Sequence, residues 1–146
     1  MARSSISIGI EMGGLRQFDR AIDRFEKEFI IEVKRVITET AELIQGQAQA
    51  LAPTGDGHLR SSIEIRYYNR GLSAEIIVGA AYAIYVEYGT GIYSSTGNGR
   101  RTPWVYWSEK LNRYVYTRGM KPQPYWQPAI EAGSRHFERE LGRLGA

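Results

Sequence analysis

The chain has no cysteine among its 146 residues. That excludes disulfides, thiolate nucleophiles and cysteine-ligated metals, and it suits a cytoplasmic product or one that must survive any redox condition outside a cell. No apolar run approaches the roughly 18 residues that a membrane-spanning helix needs. Met1 to Ser5 lead into an alternating segment, unlike the continuous apolar stretch of a secretory signal. Histidine is scarce. His58 and His136 stand in unrelated contexts without metal-ligand spacing, and each reads as a surface or turn histidine. The serines at Ser61-Ser62 and Ser94-Ser95 lack a nucleophile elbow. The glycine-rich stretch from Gly89 to Gly99 has neither the spacing nor the lysine of a phosphate-binding loop. No enzyme, cofactor or metal site is expected.

What is present is ordinary globular material. With 42% hydrophobic and 12% aromatic residues the chain can bury a core, and its length fits one domain spanning residues 1–146. The net charge of +3 is mild but uneven. Residues 15–52 carry six Lys/Arg against seven acids, whereas residues 100–121 carry six basic residues against Glu109 alone. This local excess fits either a polyanion-facing patch or a solvated hairpin.

Ile6, Ile8 and Ile10 alternate with small residues, which predicts a short strand broken by Gly13-Gly14. From Leu15 the apolar spacing changes to three and four and continues to Leu51, ending before Pro53. A helix of that length is on the order of 55 Å long. It must kink, with Gly46 the candidate, or present part of its apolar face to another subunit. The second reading is preferred and makes Phe18, Ile22, Phe25 and Phe29 a candidate assembly face.

Pro53 to Gly57 is turn chemistry. Ile63 to Tyr67 and Ala74 to Gly79 then form a hairpin around Asn69-Arg70-Gly71, with the glycine at positive φ. Residues 81–88 predict a two-turn helix with Tyr82, Tyr85 and Val86 against the core and Gly89 as its stop. Residues 91–102 read as a mobile loop. Trp104 to Trp107 and Arg113 to Thr117 form a second hairpin. Pro128 suits the first turn of a last helix striped by Ile130, Phe137, Leu141 and Leu144. The expected class is α+β: a long N-terminal amphipathic helix and a C-terminal helix packed on a small antiparallel sheet built from two hairpins.

Glu87 is a lone carboxylate among Tyr85, Val86 and Tyr88. General-base work would require a second titratable partner and a pocket, and neither is indicated. A structural acid there needs a cation or backbone donors to offset desolvation, and Arg60 is the candidate partner. In the second hairpin, basic residues among aromatics invite a nucleic-acid reading. Against it, Trp104, Tyr106, Tyr114 and Tyr116 could form the inner face of a sheet.

Three blocks occur in order: Leu51-Ala52-Pro53-Thr54-Gly55-Asp56-Gly57-His58-Leu59-Arg60-Ser61-Ser62-Ile63, then Tyr82-Ala83-Ile84-Tyr85-Val86-Glu87-Tyr88-Gly89-Thr90, then Pro122-Gln123-Pro124-Tyr125-Trp126-Gln127-Pro128-Ala129. From about residue 15 to its C-terminus the chain resembles the head–tail connector, or tail-completion, proteins of long-tailed bacteriophages and prophages. The resemblance implies a structural neck protein without cofactors, located in the virion and in the host cytoplasm during assembly. It implies a ring of copies, typically six, that meets neighbouring connector and tail proteins and passes genomic DNA without sequence specificity. Arg60, Tyr82, Tyr85, Glu87, Gly89, Thr90, Pro124 and Pro128 would then be fold and interface determinants. Arg100, Arg101, Lys110 and Arg113 would face DNA or an acidic partner. A tail-terminator or minor tail role is the nearest alternative, and a small non-specific nucleic-acid-binding protein is the second.

Overall fold

The computed structural model describes residues 4–9, 26–55 and 57–145, with side chains from Lys27 onward. Phe18, Ile22 and Phe25, the Gly13-Gly14 break and the first part of the expected long helix lie outside the described residues. The elements in chain order are β1 (Ser4–Gly9), α1 (Glu26–Leu51), α2 (His58–Ser61), β2 (Ile63–Tyr68), β3 (Ser73–Val78), α3 (Ala83–Tyr88), β4 (Trp104–Ser108), β5 (Arg113–Thr117) and α4 (Trp126–Gly145).

The 3–4 spacing of Val33, Val36, Ile37, Ala41, Ile44 and Ala48 winds one buried stripe along α1. The helix passes Gly46 uninterrupted. Phe29, expected on an assembly face, instead packs partly buried against the core, because it lies four residues before Val33 on the same stripe. The first hairpin turns through three consecutive left-handed residues, Asn69, Arg70 and Gly71, so the glycine does take positive φ. Its register sets Ile63 opposite Val78 and Ile65 opposite Ile76, and these four side chains line the core above α1. Gln45 reaches across from α1 to donate to the Ile63 carbonyl at 2.9 Å.

The α+β class and its two helices are as expected, but the two hairpins do not join. β1 pairs antiparallel with the other edge of β3, giving a three-stranded sheet in the order β1-β3-β2, and β4 and β5 form a separate two-stranded sheet. α1 lies against the three-stranded sheet, and α4 packs chiefly along α1. Gly133 makes that seam close: a Cβ there would overlap Ile44 of α1. At the rim of the seam Arg35 bridges Glu32 and Glu39, and His136 of α4 faces Glu39 at 3.4 Å.

Candidate functional site

α3 is built differently from its expected form. Ala83, Val86 and Glu87 share one face at i, i+3 and i+4, and all three are buried. Tyr85 lies on the opposite side of the wheel and is 58% exposed; Tyr82, Ile84 and Tyr88 are also exposed. The tyrosines therefore do not anchor the helix in the core. The Tyr82 ring lies 6.0 Å from that of His58, which ties α3 to α2 at the surface.

The carboxylate anchors α3 instead. Glu87 Oε2 accepts the backbone N–H groups of Tyr125 and Trp126, both at 2.9 Å, and Oε1 accepts that of Gln127 at 3.0 Å. These amides open α4. A helix leaves its first four N–H groups without intrahelical partners. Here three donate to one carboxylate and the fourth position is Pro128, which has no N–H. The negative charge also sits at the positive end of the helix dipole. The Gln123 N–H donates to the Val86 carbonyl at 2.8 Å, and the Tyr125 hydroxyl points to the Ala83 carbonyl at 3.4 Å. Burial, with Glu87 close by, holds the Tyr125 hydroxyl above its ordinary range and keeps it a donor.

Arg60 is not the partner of Glu87. Its Nε and Nη2 both donate to the Ala52 carbonyl at 3.2 Å, just past the end of α1. A cation thus closes the carbonyl end of one long helix while an anion closes the amide end of the other, each with the sign its dipole favours. The sequence could not reveal that α3 meets the start of α4. Tyr125, which is 2% exposed, was legible only as part of the proline-rich third block.

After Gly89 the chain leaves the body and returns at Pro122. Gly89 has φ 78°, and a Cβ there would lie 2.8 Å from the Met120 carbonyl, so glycine is required twice over. Thr90 donates its N–H to the Met120 carbonyl at 2.9 Å and accepts the Met120 N–H on Oγ1 at 2.8 Å. The Ile92 N–H reaches the Arg118 carbonyl, and the Ser95 N–H reaches that of Tyr88. Gly91 and Gly119 cross with their backbones in contact, an approach a side chain at either position would block. Pro124 is exposed on the return path.

Beyond this neck stands the β4–β5 ribbon. Its register sets Val105 opposite Tyr116 and Trp107 opposite Tyr114 on one face, with Tyr106 opposite Val115 on the other. Trp104 and Tyr106 are therefore separated from Tyr114 and Tyr116 rather than forming a common inner face, since cross-strand partners here pair odd with even positions. Tyr114 is 72% exposed and Tyr116 63% exposed. Trp107 and Tyr114 meet edge to face at 5.1 Å. Arg100 lies 5.5 Å over the Trp104 ring, and Arg101, Lys110 and Arg113 are exposed. The site thus has two parts: a buried clasp and a basic aromatic arm that is uncovered among the described residues.

Residues 16–89 match the profile of the bacteriophage HK97 gp10-like family, whose members are described as candidate tail components. The chain belongs to this family. Its role is accordingly that of a structural, tail-associated phage component. The match takes in the first motif block and the second as far as Gly89, and stops before the excursion, the ribbon and the third block. No curated protein and no solved structure matches the chain. No helix among the described residues is long and apolar enough to cross a membrane.

Proposed function

We propose that this HK97 gp10-like protein is an architectural, non-catalytic component of the phage neck. It forms or completes a ring that joins head to tail and through which genomic DNA passes. The observation that carries this reading is the pairing of a fully satisfied clasp with an arm that is uncovered among the described residues. Both oxygens of Glu87, the carboxylate that stands among the tyrosines, are committed to helix amides and are unavailable as a base. The aromatic ribbon meanwhile offers surface that a monomer has no use for. Arg100, Arg101, Lys110 and Arg113 are exposed on or beside it, placed to meet a polyanion through charge rather than base readout.

The test is an in-frame deletion of the gene in its phage. The expected products are DNA-filled heads and complete tails that do not join, with addition of the purified protein restoring joining in an extract. Tails of uncontrolled length would transfer the assignment to a tail-terminator role. Normal infectious particles lacking the protein would end the virion reading altogether.

A further inference from the structure

We propose that the cleft between α3 and the base of the arm is a recognition site for an acidic peptide segment of a partner protein. Arg100 holds a carboxylate of that segment, and α3 covers the apolar residue beside it. This goes beyond the neck reading, since it assigns partner chemistry to one site and holds whether or not copies form a ring.

The cleft encloses about 360 Å³, at the small end of the range for ligand pockets. Ile84, Tyr85 and Tyr88 of α3 form one wall, and Gly99, Arg100 and Trp104 form the other. The walls are tied to each other. The Ser95 N–H and hydroxyl both donate to the Tyr88 carbonyl, at 2.8 and 3.1 Å, and Thr90 holds Met120 through two hydrogen bonds. Gly99 packs so close to the Gly91 carbonyl that a side chain there would have no room. A site whose walls are already in place gives up little freedom when it is filled.

Arg100 alone among the lining residues carries a charge. Its guanidinium lies 5.5 Å over the Trp104 ring, and its Nε donates to Thr102 Oγ1 at 3.2 Å. Stacking and that hydrogen bond orient the plane, while Nη1 and Nη2 have no acceptor among the described residues. A guanidinium presented end-on in this way matches the two oxygens of one carboxylate. Ile84, Tyr85 and Tyr88 stand exposed across from it.

The lining selects the ligand's chemistry. No acidic side chain lines the cleft to repel a carboxylate or to neutralise Arg100. Glu87, on the same helix, turns both oxygens to the amides of α4. A nucleic-acid strand fits less well, because its phosphates recur every few ångströms and call for a row of cations. The cleft offers one cation between apolar walls. A glutamate or aspartate flanked by a leucine or phenylalanine uses both features at once, placing charge on Arg100 and apolar bulk against Ile84 and Tyr88.

The test uses the full-length chain and a dye-labelled peptide that alternates leucine with glutamate, read by fluorescence anisotropy. Saturable binding with Kd below about 1 mM is expected, with the matched leucine–glutamine peptide about tenfold weaker. Arg100→Gln should weaken the acidic peptide by about tenfold, and Tyr85→Ser on the opposite wall by about threefold. Arg101→Gln removes the same charge from a neighbour outside the lining and should change binding by less than about twofold. All three positions are exposed, where folding is indifferent to the side chain. Equal losses from Arg100→Gln and Arg101→Gln would overturn the proposal, since the peptide would then be answering to the general charge of the arm. Absence of saturable binding by the acidic peptide would overturn it outright. So would a short oligothymidylate that displaces the peptide and loses affinity equally in both arginine variants, which would make nucleic acid the occupant.

Discussion

In the clasp a carboxylate is buried, and in the arm a row of aromatic side chains is exposed. Both invert the usual partition of polar and apolar groups. The clasp can invert it because every donor and acceptor is matched within the chain: Glu87 is 8% exposed yet takes three amide hydrogens. Among the described residues the arm has no such internal settlement, and Tyr114 shows most of its surface to solvent. Where an inversion is fully compensated it maintains the fold. Where it is left open, apolar surface stays in water.

That contrast can be broken at defined places. The largest effect belongs to Glu87→Ala, which strands three helix amides in a buried site and removes charge-assisted bonds. A loss of about 3 kcal/mol is expected in urea unfolding. Glu87→Gln retains only part of the acceptor set and should fall between. If Glu87→Ala unfolded like the native chain, the clasp would be ornamental. Gly89→Ala comes next, at about 2 kcal/mol, since it combines positive φ with a close carbonyl. Arg60→Met removes one charged C-terminal cap and should destabilise by about 1 kcal/mol.

Tyr114→Ser should change stability by less than about 0.5 kcal/mol. A larger loss would mean that the arm is part of the monomer's own packing. The smallest effect is at Glu39, whose carboxyl is held below the ordinary range by its hydrogen bond to Arg35, with His136 assisting. A depressed folded pKa adds stability above the unfolded value and forfeits it as pH falls through the folded one. Glu39→Gln should therefore flatten only the acid limb of a stability–pH profile, slightly, because the group is solvent-screened.

Much of the body was legible because a single periodicity dominates each element there. The stripe from Val33 to Ala48, the strands around Asn69-Arg70-Gly71 and the proline in the first turn of α4 follow from spacing and turn chemistry alone. The misreadings share one cause: they turn on which elements face each other. Aromatic bulk made Tyr82 and Tyr85 look like core residues, although the 3.6-residue period already grouped Ala83, Val86 and Glu87 apart from them. For Glu87 the choice between a cation and backbone donors was open in principle, but nothing local marks the amides of residues 125–127 as its neighbours. In the ribbon, the register that sets Ser108 opposite Arg113 decides which aromatics share a face, and parity within each strand does not reveal it. Phe29 differs again, for its place on the Val33 stripe was visible, and only the length of the expected helix argued for taking it outward.

Thr90 and Met120 exchange hydrogen bonds across thirty positions of chain. Departure and return of the excursion are therefore adjacent points on a body whose clasp lies on the far side of that junction. Loops whose ends nearly touch can be lengthened, shortened or exchanged with little consequence for what holds them. The arm is in this sense an interchangeable fitting. Residues between Gly91 and Gly119 can be rewritten, with those two glycines and Gly99 kept, while α1, α4 and the β1-β3-β2 sheet stay as they are.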